Sequence, residues 1–164
     1  MQIILNHIQT QQKITRIGHE LIENCFEQEE VFIGGIKGNG FLLAKALGDI
    51  IKDNSAIKVT CFDISINKTE PWSEPITLGI DQTELKKGYI ILVDDVINSG
   101  KTLQYALVKF LEQPTKAIKT VVLVDRKHRR YPVKANFVGL SLSTTLQDRV
   151  QVDFTEGETK AFLT

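Results

Sequence analysis

The segment YIILVDDVINSGKT, residues 89–102, decides the fold of this chain. It opens with an unbroken apolar run, Tyr89–Val93, which predicts a strand buried on both faces of a sheet. Two adjacent acids and a short turn follow, and a helix is predicted from Lys101 to about Leu111. A buried strand that leads directly into a helix is the building unit of a parallel sheet with helical crossovers.

Strands and helices alternate on both sides of this unit. Helices are also predicted over 10–25 and 41–52, and strands over 31–36, 57–66 and 118–124, with shorter strands at 136–142, 149–154 and 160–163. This order indicates an α/β fold, a doubly wound parallel sheet with a small β-rich hood. Ligands bind such sheets at the carboxyl ends of the strands. The loops after Ile36, Ile66, Val93 and Asp125 should therefore face one crevice.

The composition limits the classes of function. The 164 residues carry 20 Lys+Arg and 20 Asp+Glu, so the formal net charge is zero. This balance excludes a protein that works mainly by bulk attraction to nucleic acid or anionic membrane, but it leaves room for a local patch. No apolar run approaches the ~20 residues of a membrane span, no leader pattern opens the chain, and Cys25 and Cys61 have no motif spacing. We expect a single domain over residues 1–164, in a cytoplasmic protein that makes no membrane contact.

The turn after the central strand has the composition of a phosphate site. Backbone amides from Asn98 to Thr102 would point into the turn at the positive end of a helix, and Gly100 lets a ligand approach closely. Asp94 and Asp95 suit sugar hydroxyls, or a divalent cation held through water. An acid pair at a strand end, with Ser99 capping the next helix, is the alternative. No P-loop pattern is present, which disfavours nucleoside triphosphate hydrolysis.

The segment ILVDDVINSGKT resembles the phosphoribosyl pyrophosphate (PRPP) signature of type I phosphoribosyltransferases. The resemblance implies that Asp94 and Asp95 bind the ribose hydroxyls and hold Mg²⁺ indirectly, through PRPP and water. The PRPP-binding residues that it implies are Asp94, Asp95, Val96, Asn98, Ser99, Gly100, Lys101 and Thr102, of which those from Asn98 onward take the 5-phosphate. It also implies a homo-oligomer.

Two further loops match the same family. Gly35–Gly40 corresponds to its pyrophosphate loop, so the resemblance implies that Lys37, Gly38 and Asn39 bind pyrophosphate. Residues 67–87, the lid, are polar and carry two of the four prolines, and they match the family's flexible loop. Lys37 and Lys68 would stabilise charge as the bond between the ribose C1 and pyrophosphate breaks. Trp72 in the lid is either a lid contact or a core anchor.

The end of the chain, LVDRKHRRYPVKANFVGLSLSTTLQDRVQV, is similar to that of the bifunctional pyrimidine-operon regulators that are also uracil phosphoribosyltransferases. This similarity implies uracil as the base and UMP and pyrophosphate as products. The chain carries Asn39 and Lys68 where those regulators carry arginine. Enzymes for 6-oxopurines have an Asp at the position of Asn98, so a purine substrate is disfavoured.

Two alternatives to an enzyme stay open. The first is a regulator that binds RNA through a basic surface, which forms if the first helix packs beside the loop after residue 125. The candidate base-side or RNA-binding residues are Arg16, His19, Arg126, His128 and Arg129, together with Lys127, Arg130 and Lys134. A solvated basic turn is the competing interpretation of the same residues. The second alternative is a sensor of PRPP or nucleotide with little catalysis.

Overall fold

A computed structural model describes residues 1–164 and contains nine strands, three α-helices and one short 3₁₀ helix. The helices are α1 (His7–Cys25), α2 (Asn39–Asn54) and α3 (Lys101–Phe110), and the 3₁₀ helix covers Gln82–Leu85. The strands are β1 (Gln2–Leu5), β2 (Glu30–Ile36), β3 (Lys58–Ser65), β4 (Thr77–Leu78), β5 (Tyr89–Ile97), β6 (Ala117–Asp125), β7 (Phe137–Ser141), β8 (Val150–Asp153) and β9 (Lys160–Leu163).

The main sheet has six strands in the order β4-β3-β2-β5-β6-β7. All its neighbours pair in parallel except β4, which runs antiparallel to β3. Side chains of β5 alternate between the two faces: Ile91 and Val93 join the core beneath α1 and α2, whereas Ile90 and Leu92 join the core beneath α3. Helices on both faces of a parallel sheet confirm the predicted doubly wound α/β fold.

The hood is a separate antiparallel sheet in the order β1-β9-β8. The sequence predicts its two C-terminal strands but not β1, where the chain offers only four residues. These residues become a strand because they pair with β9, as in Gln2 opposite Leu163. Such pairing joins segments at opposite ends of the sequence, so no local sequence pattern predicts it. Leu5, Val152 and Ala161 bury the hood against the core that lies under α1 and α2.

Two element boundaries differ from the prediction, and the first of them affects the site. Strand β5 continues past Val93 to Ile97, because β6 pairs with it as far as Ile97 opposite Asp125. The acid pair therefore lies within a strand rather than in the following loop. Helix α1 begins three residues earlier than predicted, where the Asn6 side chain accepts a hydrogen bond from the amide of Gln9 at 2.9 Å.

The remaining general features concern cysteines and membranes. Cys25 is buried, Cys61 is half-buried, and neither forms a disulfide. Among the three helices, none combines the length and the apolar character that crossing a lipid bilayer requires.

Candidate functional site

The loops after β2, β3 and β5 meet at the carboxyl end of the sheet and line two neighbouring cavities. Lys37 after β2 and Lys68 after β3 line one cavity of about 600 Å³. Lys68 also lines a second cavity, of about 160 Å³, together with Asp94 and the turn that follows β5. The structure thus brings together the three segments that the sequence assigns to ribose, phosphate and pyrophosphate.

The smaller cavity is built on the N-terminus of α3. The backbone of Gly100 is left-handed, with φ of 87°, and the helix begins at the next residue, Lys101, whose amide donates to Ser99 Oγ at 3.2 Å. Residues Val96 to Leu103 line the cavity. The first amides of a helix have no acceptor within it, and together with the helix dipole they favour an anion. The turn is therefore suited to a phosphate monoester.

The segment after β6 is hydrogen-bonded to the backbone of this turn. The carbonyl of Ser99 accepts hydrogen bonds from the amides of Arg130 and Tyr131, at 2.8 and 3.1 Å. The guanidinium of Arg129 donates to the carbonyl of Asn98 at 2.9 Å and to the carboxylate of Asp125 at 2.8 Å. Because two carbonyls of the turn are bound on this side, their peptide units are fixed in orientation. Arg129, predicted to face the base or RNA, acts here as a support for the phosphate turn.

The acid pair has two different environments. Asp94 is only 3% exposed, and its Oδ1 accepts a hydrogen bond from the amide of Asp95 at 2.9 Å. Burial, and after it the neighbouring Asp95 carboxylate, raise the pKa of Asp94 well above its usual range, although Lys68 acts in the opposite direction. The half-buried Asp95 accepts from the amide of Val96 at 2.9 Å, and its other oxygen faces Asn39.

The pyrophosphate loop places two kinds of group at the crevice. Lys37 is exposed and lines the larger cavity. Gly38 has φ of 98°, a conformation that side chains rarely adopt, and α2 starts directly after it at Asn39. The side-chain amide of Asn39 turns away from this cavity, toward Asp95 and the hood.

The N-terminal part of the lid contacts the wall of the phosphate cavity and α3. Lys68 Nζ lies 3.8 Å from Asp94 Oδ1, and Lys101 Nζ donates to the carbonyl of Thr69 at 2.9 Å. Trp72 is 64% exposed, so it is a lid contact and not a core anchor. Its ring lies 6.3 Å from that of Tyr105 on α3, and Lys101 Nζ lies 5.9 Å above it.

The basic residues of the predicted RNA surface do not form one patch. Helix α1, with Arg16 and the exposed His19, packs on one face of the sheet, whereas Val133 and Ala135 of the basic segment pack with α3 on the other. The guanidinium of Arg16 bonds to backbone carbonyls of β7. The condition for a single basic surface, that α1 packs beside the loop after residue 125, finds no support in these contacts, because the apolar stripe of α1 covers the opposite face of the sheet.

Two of these basic residues, Arg126 and His128, form hydrogen bonds within the chain. Arg126 is 7% exposed, and it donates to Thr144 Oγ1 and to the carbonyls of Thr145 and Asp148. His128 Nε2 lies 2.7 Å from the carbonyl of Thr144. These contacts tie the segment after β6 to the chain that leads into the hood. The cations that stay exposed there are Lys127, Arg130 and Lys134, and RNA binding remains a prediction.

Two site features escaped the sequence analysis. Tyr105 holds the lid, and its position four residues after Lys101 on a predicted helix was an available signal, since residues at that spacing share a face. The bond from Asn39 to the hood had no such signal, because its acceptor, the carbonyl of Val152, lies 113 residues away.

Comparison with known proteins places the chain in a family. A family profile described as Phosphoribosyl transferase domain matches residues 2–155. The Bifunctional protein PyrR of Haemophilus ducreyi is 32% identical over 160 residues, which cover 92% of this chain and 88% of that protein. The Bifunctional protein PyrR of Clostridium kluyveri is 32% identical over 165 residues, with 94% of this chain and 90% of that protein covered.

Solved structures share the fold. A hypoxanthine-guanine phosphoribosyltransferase from Bacillus anthracis superposes with a TM-score of 0.71 at 24% identity, over 87% of this chain and 82% of that one. The hypoxanthine phosphoribosyltransferase of Trypanosoma cruzi gives a TM-score of 0.72 at 16% identity, with 87% and 82% covered. At these identities the likeness shows the fold alone. The profile and the curated relatives, however, match nearly the whole chain and confirm the resemblance seen in the sequence: the chain belongs to the phosphoribosyltransferase family.

Proposed function

We propose that this phosphoribosyltransferase transfers the 5-phosphoribosyl group of PRPP to uracil and releases UMP and pyrophosphate. The observation that carries the proposal is the phosphate cavity at the start of α3, with Asp94 and Lys68 in its wall. An anion site next to a carboxylate matches the 5-phosphate and the ribose hydroxyls of one substrate.

Catalysis in this crevice is mostly a matter of position and charge. The turn before α3 would hold the 5-phosphate, the acid pair the ribose hydroxyls, and Lys37 and Lys68 the pyrophosphate. As the bond from C1 to the pyrophosphate oxygen breaks, the lysines would stabilise the departing charge, the uracil nitrogen would form the new bond to C1, and the proton of that nitrogen would pass to the departing pyrophosphate. A closed lid excludes water from the ribosyl centre, which would otherwise be hydrolysed.

The acid pair fits the Mg²⁺ that the family implies. Asp94 and Asp95 present carboxylate oxygens at the crevice, and nowhere in the chain do three or more His, Cys, Asp or Glu side chains converge. Mg²⁺ commonly keeps several waters and binds one or two carboxylates together with substrate phosphates. When bound with PRPP, Mg²⁺ would neutralise charge on the pyrophosphate. The family resemblance also supports a cytoplasmic homo-oligomer.

The choice of uracil over a purine has two supports. The C-terminal segment resembles the uracil-using regulators, and the curated relatives named above are more similar in sequence than the purine enzymes of like fold. Asn98 is exposed at the phosphate turn, and its neutral amide supplies no carboxylate for contact with a purine nitrogen.

The direct test is pyrophosphate release from PRPP and Mg²⁺, measured in parallel with uracil, hypoxanthine, guanine and orotate. We expect turnover with uracil. Lys68→Ala should reduce the rate by about tenfold or more, because a transition-state charge contact is lost, whereas the matched surface variant Lys45→Ala should not. Turnover with hypoxanthine or guanine instead would overturn the choice of base. PRPP binding without turnover would favour the sensor.

A separate prediction concerns the lid. Trp72 is the only tryptophan of the chain, and it rests on Tyr105 beside Lys101. PRPP should change the contacts between the lid and α3, because its 5-phosphate competes with the Thr69 carbonyl for the ammonium of Lys101. We expect a saturable shift of tryptophan emission on titration with PRPP and Mg²⁺, and no shift in an Asp94→Asn variant. Unchanged emission at saturating PRPP would contradict this view of the lid.

A further inference from the structure

Asn39 joins three parts of the molecule through a single amide group. It is the first residue of α2 and ends the pyrophosphate loop. Its Nδ2 donates to Asp95 Oδ2 at 3.1 Å and to the carbonyl of Val152 in β8 at 2.8 Å. Both protons of the amide are therefore used, one toward the acid pair and one toward the hood.

This bridge stands at the wall of a third cavity, of about 420 Å³. The cavity is lined by Asn39, Asp95, the hood segment 150–154 and Phe162. No other side chain of the crevice loops donates a hydrogen bond to a hood strand. Near α1, the hood is attached through the amide of Thr159, which donates to His7 Nδ1 at 3.0 Å, and through apolar contacts. Asn39 is thus the side chain of the crevice loops that is hydrogen-bonded to a strand of the hood, and we call this contact the brace.

We propose that Asn39 is a positioning residue that fixes the hood strand β8 relative to the ribose-binding acid pair, and thereby fixes the nucleobase relative to the ribose C1. The proposal rests on the proposed function for the identity of the reaction. Its physical basis is that reacting atoms must be held ~3–3.5 Å apart and that a misplacement of ~1 Å lowers the rate by about 100-fold. Asp95 of the acid pair and β8 form two walls of the 420 Å³ cavity, so the brace between them would position a base bound in that cavity.

The residue type is well suited to this role. An amide has two donors in a fixed plane, so one short side chain can reach a carboxylate and a carbonyl at once. An aspartate in its place would donate to neither and would repel Asp95. The arginine found here in the regulators would carry a charge for pyrophosphate, so this chain has a hood brace where its relatives have a cation.

The test compares Asn39→Ala with Asn54→Ala, a control in the same helix whose amide donates only to the carbonyl of Ile50. Three properties are measured: PRPP affinity by calorimetry, the steady-state kinetics with uracil (KM and kcat), and hydrogen exchange of the amides in residues 150–153. For Asn39→Ala we expect a kcat with uracil lowered about tenfold or more, faster exchange in β8, and a Kd for PRPP that changes by less than about threefold. Asn54→Ala should leave all three unchanged.

The outcomes separate the alternatives. An unchanged kcat together with unchanged exchange in β8 would overturn the proposal. A loss of PRPP affinity as large as the loss in kcat would also overturn it, since Asn39 would then be a pyrophosphate ligand and not a brace. If the unmodified protein turns over no base, the proposed function fails by itself, while PRPP affinity and hydrogen exchange still decide the role of Asn39.

Discussion

Replacing Asp94 with asparagine is expected to abolish PRPP binding and, at the same time, to raise the free energy of unfolding near neutral pH. Binding is lost because the amide cannot provide the carboxylate that the ribose hydroxyls and the magnesium complex require. Loss of the ion pair with Lys68 has little influence on stability, since that lysine is half exposed and such pairs contribute at most about 1 kcal/mol.

The gain in stability follows from the burial of the carboxylate. Burial raises the pKa of Asp94 well above its ordinary value of 3.8, so the folded protein binds this proton more tightly than the unfolded chain does. The stabilisation from that proton is complete below the unfolded pKa and is lost as pH rises through the folded pKa. An asparagine has no charge to bury, so we expect the free energy of unfolding of the variant to be about 1–2 kcal/mol higher than that of the unmodified protein at neutral pH.

Denaturant unfolding at several pH values, paired with PRPP calorimetry, measures both effects. The difference in unfolding free energy between Asp94→Asn and the unmodified protein should increase with pH across the titration range of Asp94. The half-buried neighbour gives a matched control: Asp95→Asn should weaken PRPP binding without the gain in stability. Retained PRPP affinity in Asp94→Asn would remove the basis of the ribose assignment.

The second large effect is expected for Gly100→Ala in the phosphate turn. The added Cβ would lie 2.5 Å from Val133 Cγ1, and the residue has φ of 87°. The left-handed conformation alone disfavours alanine by about 1–2 kcal/mol, and relief of the clash would move the turn away from the segment that supports it. We expect a stability loss of about 2–4 kcal/mol and a loss of most affinity for PRPP.

Gly157→Ala separates the two causes. Gly157 also has a positive φ, of 78°, but nothing lies within 4 Å of its Cβ position. The Gly157→Ala variant should therefore lose only the stability that the left-handed conformation costs an alanine, about 1–2 kcal/mol, and should bind PRPP with unchanged affinity. Equal unfolding free energies for the two variants, with full PRPP affinity in both, would show that Val133 does not restrict the turn.

The fold was predictable wherever the signal is local. The apolar run at 89–93 and the helical spacing around it give the central strand, its crossover and the side of the sheet where ligands bind. Strand β1 and the extension of β5 to Ile97 were not predictable, because both depend on pairing with distant segments, β9 and β6. Local propensity does not encode which partner a short strand will find.

The same division applies to the site. The acid pair and the phosphate turn could be recognised because their chemistry lies within nine consecutive residues, 94–102. The roles of the basic residues could not be recognised, since the sequence does not show which group accepts the hydrogen bonds of a charged side chain. Arg126 and Arg129 are satisfied by carbonyls of the chain's own loops, so a segment that looks like a nucleic-acid surface works in large part as internal support.

We expect the lid contacts to limit the rate of substrate entry. Lys68 and Lys101 connect the lid to the walls of the phosphate cavity, so PRPP should enter those molecules in which these contacts have opened. The apparent Kd is the intrinsic Kd divided by the open fraction, so a lid open in about one molecule in ten weakens the apparent affinity about tenfold. At high PRPP the observed association rate then levels off at the opening rate, and the strength of the Trp72 and Lys101 contacts, rather than diffusion, sets the pace of loading.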